Sequence, residues 1–183
     1  MAALSDSVTP AGVVAVCRFL PEPGPIESGD RLVVLAADVR DPGNAGTLVR
    51  TADAAGVDSV WLTGESVDRY NPKTIRASVG SLFHLPVGVE HDATTAIRSA
   101  RGTGLTVLAT AGDGEVDLFE ADDLLAGPTA WLFGNEAHGL PPALAAQADH
   151  RIRIPMRGDA ESLNLSTAAA VCLFASARAQ RTV

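Results

Sequence analysis

The stretch WLFGNEAHGLPP, residues 131–142, sets the interpretation of the whole chain. It begins with three apolar residues, as a buried strand does, and continues at once with a glycine, an amide and the carboxylate of Glu136. Open α/β sheets bind ligands outside the carboxyl ends of their strands, so a carboxylate at such a strand end favours a ligand site over a plain turn. Pro141 can begin the next helix, whereas His138, a lone histidine in a glycine-containing loop, is expected at the surface.

Short apolar runs alternate with helical patterns along the rest of the chain. This alternation predicts an α/β domain with a mostly parallel sheet flanked by helices. The expected strands are residues 31–38, 58–64, 82–89, 105–110, 129–134 and 151–155. The expected helices are residues 46–56, 72–80, 93–102, 141–148 and 165–180.

The C-terminal helix has the strongest pattern. Its alanine-rich sequence has high helix propensity, and either Asn164 or Ser166 can cap its first turn. Its predicted packing stripe consists of Leu165, Ala169, Cys172, Leu173 and Ala177.

Length and composition predict one domain, preceded by an N-terminal arm. The 183 residues, 46% of them hydrophobic, are ample for one core, which we assign to residues 31–183. Residues 1–30 form the arm or linker, in which residues 21–30 are rich in Pro and Gly and residues 9–19 have the pattern of a strand without a partner.

No run of the sequence approaches the roughly 18 apolar residues that cross a membrane. The first residues lack the basic and apolar parts of a signal peptide, so we expect a cytoplasmic protein. Cys17 and Cys172 lack the spaced partners of a zinc cluster or a redox pair. We expect both to be small, buried or half-buried thiols.

The net charge of −8 argues at face value against a nucleic-acid partner, because Lys and Arg make the contacts to phosphate. Six acids, however, lie in residues 113–123, and outside that segment 16 acids face 14 bases, a net charge of −2. The bases gather in two groups that are either solvated faces or phosphate-facing patches. These groups are Arg69, Lys73 and Arg76, and Arg151, Arg153 and Arg157.

The loop after the first strand opens a helix. Gly43 and Gly46 allow a tight turn or a close approach to a ligand, and Asn44 can cap the helix, which places Arg50 in its second turn. By itself this loop is either an ordinary capped helix with a solvated arginine or a phosphate-binding helix start. The glycine spacing of a dinucleotide-binding fold and the lysine of a P-loop are both absent from the sequence.

The loop before the last helix carries the polar residues Glu161, Ser162 and Asn164, which can serve as helix caps alone. Apolar residues lie among and before them and could supply the surface that a pocket for a flat ring needs. These residues are Ile154, Met156 and Leu163.

Together these three loops resemble the motifs of the SpoU-type, TrmH-like ribose 2′-O-methyltransferases of the SPOUT superfamily. The first motif, Asn-x-Gly-x-x-x-Arg, corresponds to Asn44, Gly46 and Arg50. FGNEAHGLPP and IPMRGDAESLNLSTAAAVCLF correspond to the second and third motifs. Ala137 stands where the family commonly has Gly, and Leu165 where it commonly has Val, and neither change removes a reactive group. The resemblance covers residues 31–180, including NPKTIRASVGSLFHLPV.

The resemblance implies a deep C-terminal trefoil knot and a homodimer whose active sites use both subunits. It also implies S-adenosylmethionine as the methyl donor, S-adenosylhomocysteine as the product and no metal. Carried over residue by residue, the cofactor-binding residues are Leu132, Gly134, Asn135, Ile154, Met156 and Leu163. The catalytic residues carried over in the same way are Asn44, Arg50, Glu136, Ser162 and Asn164.

In the implied reaction a ribose 2′-hydroxyl attacks the sulfonium methyl group and a neutral thioether leaves. The enzyme must therefore align the two reactants and take or share the hydroxyl proton. Because a protonated guanidinium has no acceptor, we assign Arg50 to holding the 2′-oxygen or an adjacent phosphate, with proton removal as its second candidate role.

The partner that the resemblance implies is structured RNA, and we expect ribosomal RNA rather than transfer RNA. Residues 4–16 resemble the tail of an N-terminal ribosomal-protein-like domain that binds RNA in many relatives, so we expect a catalytic part that binds RNA weakly. Two alternatives stay open: an RNA- or nucleotide-binding module of the same fold without methyl transfer, and a nucleotide-dependent oxidoreductase. A role in antibiotic resistance is known for such families, but no residue here indicates it.

Overall fold

A computed structural model describes residues 12, 13 and 15–181. The strands are β1 (Leu32–Ala37), β2 (Ser59–Thr63), β3 (Val87–Glu90), β4 (Thr106–Thr110), β5 (Val116–Asp117), β6 (Thr129–Phe133) and β7 (His150–Arg153). The helices are α1 (Pro42–Ala55), α2 (Pro72–Ser78), α3 (Ala93–Gly102), α4 (Asp122–Leu125), α5 (Pro142–Ala145) and α6 (Leu165–Gln180), with short 3-10 turns at Ser81–Phe83 and Leu118–Glu120.

The described strands form one sheet in the order β3-β2-β1-β6-β4-β7-β5, and every pair in it is parallel. The central strands β1 and β6 are buried along their whole length, as expected for strands covered by helices on both faces. Helices α1, α4 and α6 pack on one face and α3 packs on the other. The predicted α/β fold with a parallel sheet is confirmed. Strand order does not define how the loops cross, so the knot stays an implication of the resemblance.

Helix α1 begins earlier than predicted because Asp41, not Asn44, is its cap. The Asp41 carboxylate accepts a hydrogen bond from the Asn44 backbone N–H at 2.8 Å, and Pro42 supplies a first position that needs no N–H partner. The cap predicted at Asn44 is therefore wrong. Arg50 lies in the third turn of the helix, not the second.

Helix α6 is capped by Asn164, whose side chain accepts a hydrogen bond from the Ser166 N–H at 2.9 Å. Four members of its predicted stripe are buried, but Ala177 is only half-buried. Ser176 and Ala179 are buried in its place. Ser176 accepts a buried hydrogen bond of 2.9 Å from the Trp131 indole N–H, which places it on the face of the helix that packs on β6.

The two cysteines differ in their surroundings. Cys172 is buried as expected, and burial raises the pKa of its thiol. Cys17 is exposed, so the expectation of a buried or half-buried thiol is wrong there.

The acidic segment, residues 113–123, contains β5 and the start of α4, two elements that the sequence patterns missed. Its carboxylates pair with the second basic group: Arg151 contacts Asp113 at 3.2 Å and Glu115 at 3.0 Å. Arg153 contacts Asp117 at 3.3 Å. These two arginines therefore face acids of their own chain and are neither simply solvated nor free for phosphate.

The N-terminal arm lies against the body of the domain. Ile26 is buried, and the Leu20 backbone N–H donates to the Tyr70 hydroxyl at 3.1 Å. Arg69, which the basic-cluster hypothesis placed in a solvated or phosphate-facing group, is buried and paired with Glu22 of the arm. The strand expected at residues 9–19 is absent from residues 15–19, and residues 9–11 and 14 lie outside the described residues. No helix within the described part of the chain is long and apolar enough to span a membrane.

Candidate active site

Four loops leave the same edge of the sheet, because the carboxyl ends of its parallel strands point the same way. They follow β1, β4, β6 and β7. The three loops singled out from the sequence follow β1, β6 and β7, so they meet at this edge although they are far apart along the chain. This edge is where open α/β sheets bind ligands.

A chain of hydrogen bonds connects these three loops. The Asn44 side-chain amide donates to Glu136 Oε1 at 3.2 Å, and the Asn164 side-chain amide donates to Asn44 Oδ1 at 3.1 Å. The Asp41 backbone N–H also donates to Glu136 Oε1, at 3.3 Å. Glu136 Oε2 has no hydrogen-bond partner within the part of the chain that the structure describes. The site thus holds one carboxylate oxygen in place and leaves the other available.

The Asn135 side chain fixes the loop after β6. Its amide donates to the Asp38 carbonyl at 2.7 Å, and its Oδ1 accepts from the Ala137 N–H at 2.8 Å. Gly134 is required by the same fold of the loop, since a Cβ there would lie 2.4 Å from the backbone of Gly139 and Leu140. Replacing Gly134 would therefore displace the loop itself, which makes it a poor probe of ligand binding.

An apolar cleft of about 300 Å³ lies between the ends of β4, β6 and β7 and the first turn of α6. We call it the apolar cleft. Seven of the residues assigned from the sequence line it: Gly134, Asn135, Glu136, Ile154, Met156, Ser162 and Leu163. The remaining wall includes four residues that sequence reasoning missed: Thr110, Ala111, Gly112 and Ala168. The first three follow the predicted strand at 105–110, so the strand-end rule could have indicated them.

Ile154, Met156 and residues 161–163 form one side of the apolar cleft. Residues 154–163 make no hydrogen bond or ion pair with any described residue. Their backbone N–H and C=O groups are therefore free to bind a ligand in the cleft. A wall of apolar side chains with convergent polar groups is the usual make-up of a small-molecule site.

Four of the assigned residues lie outside the apolar cleft: Leu132, Asn44, Arg50 and Asn164. Leu132, expected beside the cofactor, is fully buried in β6 and packs in the core, because alternate residues of that strand point to opposite faces of the sheet. Asn44 and Asn164 take part in the hydrogen-bond chain described above but do not line the cleft.

Arg50 lies on the exposed side of α1 and is not part of this cluster. It is six residues beyond Asn44, which is about 9 Å along the helix axis and on a different side of the helix. Among the described residues it has no hydrogen bond or ion pair, and it lines neither the apolar cleft nor the neighbouring cavity. His138 is exposed, as predicted.

The start of α1 holds a carboxylate with an altered pKa. The Asn44 backbone N–H and the Lys73 ammonium group, at 3.1 Å, lower the pKa of Asp41. Asp41 is therefore an ionised, fully engaged cap and not a candidate proton acceptor.

Comparison with known proteins gives the family. Residues 31–174 match the model of the SpoU rRNA Methylase family. The 23S rRNA (guanosine(2553)-2′-O)-methyltransferase RlmP of Bacillus subtilis is 37% identical over 172 residues, which are 94% of this chain and 67% of that protein. A 23S rRNA (uridine(2479)-2′-O)-methyltransferase of Streptomyces viridochromogenes is 39% identical over 155 residues, 81% of this chain and 53% of that protein.

Solved structures agree with these relatives. The crystal structure of an AdoMet-bound rRNA methyltransferase from Sinorhizobium meliloti superposes with a TM-score of 0.76 at 40% identity, covering 84% of this chain and 58% of that one. This chain thus spans between half and about two thirds of the length of these relatives. The family model covers most of the chain and includes the loops that meet at the sheet edge, so the chain belongs to the SpoU rRNA methylase family.

Proposed function

We propose that this chain transfers a methyl group from S-adenosylmethionine to a ribose 2′-hydroxyl of RNA, and that the RNA is ribosomal. The observation that carries the proposal is the chain of hydrogen bonds Asn164–Asn44–Glu136 at the rim of the apolar cleft. The names of the relatives, which methylate 23S rRNA at the 2′-oxygen, supply the substrate class. Membership of this family leaves no support for a nucleotide-dependent oxidoreductase.

The apolar cleft suits the cofactor in size and in chemistry. Its volume, about 300 Å³, lies at the lower end of the range for small-molecule sites. Ile154, Met156 and Leu163 offer apolar surface for the adenine, and the unpaired backbone groups of residues 154–163 offer hydrogen bonds to its polar edge. When bound, S-adenosylmethionine supplies an electrophilic methyl group on a positively charged sulfur. The carboxylate of Glu136, on the cleft wall, complements that charge.

We assign proton acceptance to Glu136. A carboxylate is an acceptor, and its Oε2 is the oxygen without a partner among the described residues. Asn44 and Asn164 then act as positioning residues that hold the carboxylate, and Ser162 lies on the cleft wall where it can contact the ribose. This assignment removes the need for Arg50 to act as a base, which its lack of an acceptor already opposed.

Arg50 enters the proposal through a homodimer. Because it faces outward from α1 and lies away from its own cluster, we propose that it reaches the site of a second subunit and there holds the 2′-oxygen or an adjacent phosphate. A guanidinium suits that role because its planar fork can donate two hydrogen bonds at once. A cytoplasmic location follows from a ribosomal RNA substrate and is part of the same proposal.

The first experiment is calorimetric titration of the chain with S-adenosylmethionine, S-adenosylhomocysteine and, for comparison, NADH. We expect the first two to bind at one site per chain and NADH not to bind. Leu163→Ala should weaken cofactor binding by about tenfold, since loss of a half-buried leucine side chain costs roughly 1–2 kcal/mol. Val89→Ala, which removes an exposed apolar side chain on β3, is the matched control and should leave the affinity unchanged.

Methyl transfer from labelled S-adenosylmethionine to an unmodified 23S rRNA transcript then tests the reaction. Label released as a 2′-O-methylated nucleoside supports the proposal. Cofactor binding without transfer to this RNA or to transfer RNA would favour a binding module that has lost catalysis. Absence of cofactor binding would contradict the assignment of the apolar cleft.

A further inference from the structure

We infer that a second cavity, next to the apolar cleft, binds the phosphate group on the 3′ side of the methylated ribose, through Arg40. This inference rests on the proposed function and extends it to a substrate-binding residue outside the assigned motifs. The cavity, which we call the Arg40 cavity, has a volume of about 630 Å³ and is formed by residues of the loops that follow β1 and β6.

The Arg40 cavity shares a wall with the apolar cleft. Asn135 and Glu136 line both spaces, so they form a ridge between them. A ribose whose 2′-hydroxyl reaches Glu136 from this ridge has its 3′-phosphate on the adjacent ring carbon. A phosphate leaving the ridge away from the cofactor therefore enters the Arg40 cavity.

Each of the three carboxylates of the cavity accepts at least one hydrogen bond from the protein. Asp38 accepts a hydrogen bond from the Glu65 backbone N–H at 2.8 Å. Asp41 is held by Asn44 and by Lys73, and Glu136 is held by Asp41 and Asn44. Of the three negative charges, that of Asp41 is offset by the Lys73 ammonium group.

The donors of the cavity are free. The side chains of Arg40 and His138 line the space, and within the described part of the chain neither makes a hydrogen bond or an ion pair. An exposed guanidinium with a free planar fork fits phosphate geometry better than any other side chain. His138 adds a ring donor on the same cavity.

Part of the lining of the cavity is apolar. It is formed by Leu140, Pro141 and Pro142, which can contact a sugar or a flat base. A guanidinium that can bind phosphate, together with apolar residues in the same cavity, favours a nucleotide over a free inorganic anion.

The test is a nuclear magnetic resonance titration of the chain, saturated with S-adenosylhomocysteine, with uridine 3′-monophosphate and with uridine. We expect the nucleotide to shift the amide signals of Arg40, Ala137 and His138, and to bind more tightly than uridine. Arg40→Gln should weaken nucleotide binding by about tenfold, the usual effect of losing a charge-assisted hydrogen bond, and leave uridine binding unchanged. Arg98→Gln is the matched control, because Arg98 is an exposed arginine of α3 that lines neither cavity.

Calorimetry with S-adenosylhomocysteine separates the two proposals. If wild type and both variants bind it equally but Arg40→Gln leaves nucleotide affinity unchanged, the inference about Arg40 is wrong and the proposed function stands. Absence of amide shifts at millimolar nucleotide also overturns the inference alone. If wild type does not bind S-adenosylhomocysteine, the proposed function fails, and the assignment of the cavity to a methylated strand fails with it.

Discussion

The Arg50 side chain lies away from the hydrogen-bonded cluster of Asn44, Glu136 and Asn164. It shares the first motif with Asn44, yet the helix places the two on different sides of α1. We expect Arg50→Lys to lower the rate of methyl transfer by about 100-fold, because a lysine cannot reproduce the bidentate fork and misplaces the reacting oxygen. Cofactor affinity should stay within about twofold, since Arg50 does not line the apolar cleft.

The measurement is single-turnover methyl transfer together with calorimetry, and Arg98→Lys is the control. Near-full turnover of Arg50→Lys would show that bidentate orientation is not the role of this residue. A loss of cofactor binding would instead place Arg50 at the apolar cleft, contrary to the geometry of the single chain.

At the scale of elements, the contact between α1 and α2 depends on one glycine. A Cβ on Gly46 would lie 2.4 Å from the Thr74 carbonyl oxygen and 2.6 Å from the Ala77 Cβ. Gly46→Ala should therefore destabilise the protein by about 1–3 kcal/mol, because the overpacking outweighs the gain in helix propensity. The loss also displaces the helix that carries Asn44.

Gly102→Ala is the matched control in α3, where a Cβ would meet no atom within 4 Å. There we expect a neutral to slightly stabilising effect, since only helix propensity and chain entropy change. Urea denaturation of both variants measures the difference. Equal stability of the two variants would mean that α1 and α2 can move apart without cost.

The whole molecule should lose stability in acid through carboxylates that hold its elements together. Asp149, directly before β7, accepts a hydrogen bond from the Val107 N–H at 2.8 Å and pairs with Arg101 at 2.8 Å, thereby connecting the start of β7 to β4 and α3. Burial alone raises the pKa of Asp149, but those two contacts outweigh it and the pKa is lowered. The pKa values of three other carboxyls are lowered in the same way, those of Asp41, Asp92 and Glu115.

Each of these carboxyls has a lower pKa in the folded protein than in the unfolded chain, so its ionised form stabilises the fold. This stabilisation is complete above the unfolded-state pKa and is lost as the pH falls through the folded-state pKa. The free energy of unfolding should therefore decrease below about pH 4. Urea denaturation at pH 7, 4 and 3 checks this. Asp149→Asn should be less stable at pH 7 and show a weaker decline in acid, whereas an unchanged slope would mean that Asp149 does not contribute.

The distribution of charge over the whole molecule predicts weak RNA binding by this chain alone. The acidic segment neutralises Arg151 and Arg153, and Arg69 is buried, so three of the six bases grouped in the sequence are not available to bind phosphate. We expect dissociation constants of micromolar or weaker for a 23S rRNA fragment at physiological salt, as for non-specific contacts. Filter binding at two salt concentrations measures this, and a tight, strongly salt-dependent complex would contradict it.

Local sequence patterns located the six longer strands, five of the helices and the loops that carry the site, although residues 82–86 of the strand predicted at 82–89 form a 3-10 turn and a loop. Apolar periodicity, helix propensity and strand-end glycines are short-range signals, and residues such as Leu35 and Trp131 are buried whichever neighbours they receive. The motif in the β6 loop likewise indicated a family, because residue types at fixed spacing can be recognised in a sequence without knowing which residues are in contact. The sequence patterns did not predict the short elements β5 and α4, because two to four residues carry too little periodic signal.

Only the tertiary structure decided which side chains meet. The amide of Asn164 reaches Asn44 across 120 residues, and Glu136 reaches Asn44 across 92. Such contacts depend on the strand order, which places β1 beside β6, and no local pattern specifies that order.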